Sequence, residues 1–184
     1  MPTQKVTKDE IVLKSITVFR QSGYYRTNMR DLAKFCGLTK GAFYHYFSSK
    51  EDVMRNSLEM TSLWFKKNIF SIGYNNNIPE EKRLELMLNL YLKTFTQEPG
   101  GCFFANTILE TTQVEDTFKG IMIDFFDSWE KSLQHIFSHK YENKIAKEKS
   151  IQVITNLEGA IILMVLKSNG DYLKDAIKRS IRLY

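Results

Sequence analysis

Apolar residues recur along most of this chain at intervals of three and four, so the pattern predicts helices nearly throughout. A first helix begins near Thr7, carries Asp9 and Glu10 in its first turn, and sets Val12, Ser15, Ile16 and Phe19 on one stripe before Gly23 ends it. Asn28 caps a short second helix with Asp31 at capping-box spacing, and Met29, Leu32, Ala33 and Cys36 mark its apolar face. Gly37 stops that helix, because a left-handed residue costs least without a side chain, and Leu38 turns back toward the core. Thr39 caps a third helix in which Ala42, Phe43 and Phe47 can face inward, leaving Lys40, Gly41, Tyr44, His45 and Tyr46 within barely two turns. Ser48 and Glu51, again at capping-box spacing, open a long helix that runs through Val53, Leu58, Thr61 and Phe65 to about Phe70.

Beyond it, Gly73 and residues 75–77 read as a loop, and Pro79, Glu80 and Glu81 as a fresh helix start. That helix carries Leu84, Met87, Leu88, Tyr91, Leu92 and Phe95 and is broken by Pro99, Gly100 and Gly101. A short helix at 102–113 follows, then a longer one from about Glu115 to His139 bearing Phe118, Ile121, Met122, Phe125, Phe126, Trp129, Leu133 and Phe137. Two further helices, 142–167 and 171 onward, are parted by Ser168, Asn169 and Gly170. The fold class is all-α.

Composition agrees. The 184 residues, 43% of them hydrophobic, suffice for a sizeable core, and three prolines and nine glycines leave the helices little interrupted. A polar opening and the lack of an unbroken apolar run of roughly 18 residues predict a cytoplasmic protein with no membrane segment. Cys36 and Cys102 lack the spacing of a disulfide framework or a metal site. His135 and His139 are four apart without a third ligand in sight, so no metal is expected. No Gly-rich phosphate loop or nucleophile elbow is present, so neither a cofactor nor an enzyme is expected.

Charge changes the picture more. Residues 1–50 hold nine Lys and Arg against three Asp and Glu, whereas residues 51–184 hold 17 against 18. The entire basic excess is therefore amino-terminal, where a polyanion would gain affinity by counterion release; a solvated basic face would show the same excess.

The spacing around GLTK fits either a plain interhelical turn or a helix-turn-helix. The stretch ITVFRQSGYYRTNMRDLAKFCGLTKGAFYHYFSSKEDVM resembles the DNA-binding domain of TetR/AcrR-type transcriptional regulators. The resemblance lies in Phe19, Gly23-Tyr24, Asp31-Leu32-Ala33, Gly37-Leu38-Thr39-Lys40-Gly41, Tyr44-x-x-Phe47 and Ser49-Lys50-Glu51, and it covers about the first third of the chain. It implies an amino-terminal three-helix helix-turn-helix domain, residues 1–50, joined to a larger helical effector-binding and dimerisation domain, residues 51–184. It further implies a homodimeric repressor that leaves a pseudo-palindromic operator when a small-molecule effector binds.

Carried over by position, the resemblance puts Thr39, Lys40, Gly41, Tyr44, His45 and Lys50 at the DNA, with Asn28 and Arg30 at the entrance to the second helix. Their chemistry suits these places. Tyr44 and Lys50 can meet phosphates, Gly41 admits a close backbone approach, and Lys40, His45 or Arg30 can donate to guanine. A dimer interface is implied at Leu157, Gly159, Ala160, Ile161 and Met164, although a helix so apolar could equally be buried in the monomer. Trp64, Tyr91, Phe95, Cys102, Phe103, Phe125 and Trp129 are the candidates for lining an effector cavity, and they would serve equally as core. Some relatives with Gly-Cys at the place of Cys102 respond to electrophiles or oxidants, whereas a buried inert thiol is the alternative.

Overall fold

The computed structural model describes residues 6–97, 100–114 and 116–184, and every described element is helical. Pro99 and Glu115, expected at a helix break and a helix start, lie outside the described residues. The helices are α1 Lys8–Ser22, α2 Met29–Cys36, α3 Lys40–Tyr44, α4 Lys50–Asn68, α5 Glu80–Gln97, α6 Phe103–Thr111, α7 Lys119–Phe137, α8 Asn143–Lys167 and α9 Asp171–Ile181. They form two compact units, one of residues 1–61 with 103–121, the other of 62–102 with 122–184.

In the first unit, Ile11, Val12, Val18 and Phe19 of α1 pack with Leu32, Ala33 and Cys36 of α2 and with Phe43, Phe47, Val53, Met54 and Leu58. The α1 stripe is turned slightly from the expected one: Ile11 and Val18 are buried, and Ile16 only half so. Both capping boxes at the starts of α1 and α2 form, Thr7 with Glu10 and Asn28 with Asp31. At α4 the box is displaced by one residue. Ser49 Oγ accepts the Asp52 N–H at 3.1 Å and Asp52 accepts the Ser48 N–H at 3.3 Å, which frees Glu51 for another partner. Phe118, expected within a helix, precedes α7 and sets its ring edge-on to Tyr24 at 5.2 Å.

In the second unit, an aromatic cluster of Phe65, Phe70, Tyr91, Phe95, Phe125 and Trp129 forms the core, with centroids such as Tyr91–Phe95 at 4.5 Å and Tyr91–Trp129 at 4.8 Å. Of the expected loop, residues 75–77 lie outside any helix, whereas Gly73 is taken into a short 3-10 turn, Phe70–Tyr74. A Cβ at Gly73 would lie 2.3 Å from Ser132 Oγ, and that hydroxyl donates to the Phe70 carbonyl at 2.5 Å, so the turn is pressed onto α7. Buried Arg83 anchors the same turn by donating to the carbonyls of Ile78 (2.7 Å) and Gly73 (3.0 Å) and to Glu80 (2.8 Å).

Leu157, Ala160 and Ile161 of α8 are buried together with Leu173, Ala176 and Ile177 of the adjoining α9. Although polar residues such as Thr155, Asn156 and Glu158 interrupt it and leave no unbroken apolar run of roughly 18 residues, α8 is apolar enough to cross a membrane by length and composition alone. The reason is that both its packed face and part of its exposed face are apolar, the latter through Ile162, Leu163, Val165 and Leu166.

Candidate nucleic-acid interface

The helix-turn-helix is built by its end signals. Gly37 adopts φ 74°, its N–H reaching back to the Lys34 carbonyl at 3.1 Å, while Leu38 N–H reaches the Ala33 carbonyl at 2.9 Å. These are the paired bonds of a Schellman stop, and they turn the chain sharply into α3. There Thr39 Oγ1 accepts the Ala42 N–H at 3.2 Å. Phe43 and Phe47 hold α3 inward, with centroids 5.7 Å apart, and the Tyr46 hydroxyl donates to the Val6 carbonyl at 2.8 Å.

What α3 presents outward is then fixed. A cleft of about 600 Å³ is lined by Thr27, Asn28, Met29, Arg30, Asp31, Lys40, Tyr44 and Lys50. It gathers Arg30, Lys40 and Lys50 against a single acid, Asp31, whose carboxylate is already engaged with the Asn28 N–H at 3.4 Å. Such a groove favours an anion. Tyr44 is 45% exposed, with Lys40 Nζ 5.7 Å from its ring centroid, and Thr39, Gly41 and His45 are exposed beside them. A Cβ at Gly41 would meet nothing within 4 Å, so no neighbour within the chain requires glycine there.

Of the eight residues expected at DNA, Asn28, Arg30, Lys40, Tyr44 and Lys50 share the cleft wall, while Thr39, Gly41 and His45 lie on the same short helix or its ends. Besides Thr39, the cap of α3, two more have structural work. Asn28 Oδ1 accepts the N–H groups of Arg30 (2.9 Å) and Asp31 (3.0 Å), and Lys50 Nζ donates to the Tyr24 carbonyl at 2.9 Å. Thr27, Met29 and Asp31 also line the cleft and were not anticipated. The cap at Asn28 is the signal that could have found them, because a capped helix start brings its neighbours to the same rim.

The seven effector candidates divide between the two units. Tyr91, Phe95, Phe125 and Trp129 come together as core, whereas Trp64 is 45% exposed and meets Phe65 edge-on at 5.2 Å. Phe103 is buried in the other unit. Cys102 is buried, and the nearby Glu158, unforeseen from sequence, accepts the Tyr91 hydroxyl at 3.0 Å. Burial raises the Glu158 carboxyl pKa, partly offset by hydrogen bonds from Cys102 and Tyr91. The Nε1 of Trp129 is buried with no hydrogen-bond partner.

The five dimer candidates divide by burial. Leu157, Ala160 and Ile161 pack inside the unit, Met164 is half-buried, and Gly159 is exposed. The exposed apolar face of α8 instead runs through Gly159, Ile162, Leu163 and Leu166. Among the described residues no group of three acidic, His or Cys side chains could hold a metal ion; His139 Nδ1 lies 3.5 Å from Glu80 Oε1, and His135 beside it has its pKa lowered, chiefly by burial.

Matches to protein-family models place the chain among helix-turn-helix transcriptional regulators. Residues 11–56 match the bacterial regulatory proteins of the tetR family, and residues 83–179 match the C-terminal domain of LmrA/YxaF-like transcriptional regulators. The chain belongs to the TetR family of bacterial regulators. It is similar to the transcriptional repressor DhaR of Mycobacterium sp. (strain GP1), 23% identical over 170 residues that span 89% of this chain and 85% of that protein. It is also similar to the uncharacterized regulator YxaF of Bacillus subtilis, 24% identical, covering 89% and 87%. A TetR regulator structure from Legionella pneumophila superposes with a TM-score of 0.87 at 16% identity, covering 99% of this chain and 98% of that one.

Proposed function

We propose that this protein is a homodimeric repressor that binds a pseudo-palindromic operator and leaves it when a small molecule occupies the helical carboxyl-terminal region. The observation that carries the reading is the cationic cleft on the helix-turn-helix, with Tyr44 exposed and Gly41 unconstrained from within. Asn28, Arg30, Thr39, Lys40, Gly41, Tyr44, His45 and Lys50 would contact DNA, some holding phosphates and others reading base edges. DNA contact is the work of residues 1–50 in this reading, effector binding and pairing that of 51–184, and the protein acts in the cytoplasm. That the similar DhaR is named a repressor favours repression.

Pairing would use the exposed face of α8, where Gly159 lets a second backbone come close to Ile162, Leu163 and Leu166. Two-fold symmetry then presents two recognition helices to two half-sites. The effector would enter the cluster of Tyr91, Phe95, Phe125 and Trp129, where the unpaired Trp129 N–H offers a donor to an acceptor on the ligand. It can release DNA only through its differential affinity for the free and operator-bound conformations. The test is a screen of small aromatic compounds for a rise in melting temperature, followed by DNA titration with each hit. A hit should lower operator affinity; compounds that stabilise the chain and leave DNA binding unchanged would remove effector release from the account.

A further inference from the structure

Glu110, on α6, places its carboxylate where a side chain on residue 23 would stand: a Cβ at Gly23 would lie 2.4 Å from Glu110 Oε1. Gly23 also has φ 79°, so both backbone conformation and space require glycine at the end of α1. Glu110 Oε2 accepts the next two main-chain donors, the N–H of Tyr24 at 2.7 Å and of Tyr25 at 3.3 Å. A carboxylate receiving backbone N–H groups makes a stronger bond than a neutral acceptor would.

The same turn is gripped from α4. The Tyr24 hydroxyl donates to Glu51 Oε1 at 2.9 Å, and Lys50 Nζ donates to the Tyr24 carbonyl at 2.9 Å. From there the connection reaches the DNA cleft in one step, since Thr27 Oγ1 donates to the Gly23 carbonyl at 2.6 Å and Thr27 lines the cleft wall.

We propose that Glu110 is a positioning residue for DNA recognition: by holding the Tyr24 and Tyr25 amides it sets where Thr27, Asn28 and Arg30 stand on the rim of the groove. The inference rests on the DNA-binding reading above. A carboxylate that merely stabilised the unit would leave discrimination between duplexes untouched, whereas one that positions the rim controls it.

The experiment uses the full chain and Glu110→Ala, Glu110→Gln and Leu109→Ala, the last a control at an exposed neighbour on α6. The unsubstituted chain first selects a duplex from a random pool. Affinities for that duplex and for a random-sequence duplex of equal length are then measured well below each variant's melting temperature. In Glu110→Ala, which loses both hydrogen bonds, the ratio of the two affinities should fall by roughly tenfold, less than the stability that hydrogen bonds to a charged group can supply, and amide exchange at Tyr24 and Tyr25 should accelerate. Glu110→Gln, which keeps an acceptor oxygen, should recover most of the ratio, and Leu109→Ala should match the unsubstituted chain. A lowered melting temperature with an unchanged ratio would overturn the proposal. If the alanine variant does not fold, Glu110→Asp, whose shorter side chain draws the carboxylate back from the Tyr24 and Tyr25 amides, takes its place, and faster exchange there with an unchanged ratio would overturn the proposal as well. Failure of the unsubstituted chain to select any duplex would overturn the DNA-binding reading itself, and is seen before any variant is made.

Discussion

Lys50 and Tyr24 are joined twice, by the hydrogen bond from Nζ to the Tyr24 carbonyl at 2.9 Å and by the ammonium lying 4.1 Å from the centroid of the Tyr24 ring. An ammonium has three donors, so one is spent on the turn while others remain for a phosphate on the cleft side. Lys40, by contrast, lies with its Nζ 5.7 Å from the Tyr44 ring centroid and has no hydrogen bond among the described residues. Lys50→Ala should therefore destabilise the protein by about 1–2 kcal/mol and also reduce the slope of log affinity against log salt by about 1. Lys40→Ala should reduce the slope alike with little change in melting temperature. Thermal melts and DNA titrations across salt on both variants separate the two roles.

Gly41→Ala should move stability and DNA binding in opposite directions. Alanine favours a helix over glycine by up to about 1 kcal/mol, and a methyl group at this position meets no atom of the chain within 4 Å. Melting temperature should rise while affinity for a selected duplex falls, because in the proposed reading the new methyl would stand where the DNA backbone approaches. A rise in stability with full affinity would show that DNA does not come close to this helix.

The exposed face of α8 predicts a change of assembly. Ile162→Asp combined with Leu166→Asp places two charges on a surface whose apolar side chains are 58% and 70% exposed in the single chain. Sedimentation should give a dimer for the unsubstituted protein and a folded monomer for the variant, with Leu157→Ala lowering stability by about 2–5 kcal/mol because that leucine is core. A dimer that survives both aspartates would place the interface elsewhere.

Glu158 predicts a pH dependence. Burial raises its carboxyl above the ordinary value of 4.5, so the folded state holds the proton more tightly than the unfolded one. Its favourable contribution is complete below that ordinary value and is lost as pH rises through the raised folded value. Glu158→Gln keeps an acceptor for the Tyr91 hydroxyl, so it should raise the melting temperature at pH 7 and flatten the change between pH 7 and acid. Melting curves at several pH values check this; a variant less stable than the parent at pH 7 would contradict it.

The helix starts and stops were legible because their causes are local. Asn28 with Asp31, Gly37 and Thr39 each act within four residues, and all three adopt the expected cap geometry. The α4 start was misread by one residue, since Ser48 and Ser49 present the same hydroxyl and only the first turn's fit chooses between Glu51 and Asp52. Effector and interface residues were harder, because helical spacing identifies an apolar face without saying what covers it. Phe103 and Trp129 look alike in periodicity yet lie in different units, and neighbours such as Ala160 and Ile162 face opposite ways on one apolar helix. The partners of Glu110 were not legible for a different reason: Tyr24 and Tyr25 are 86 and 85 residues away.

Selection of bound duplexes from random DNA, at two salt concentrations and beside a Tyr44→Ala, Lys40→Ala control, tests the central claim most directly. The account predicts an enriched inverted repeat that the control loses, with binding that weakens steeply as salt rises. Binding that enriches no sequence and vanishes at moderate salt would reduce the cleft to a basic surface and contradict operator recognition.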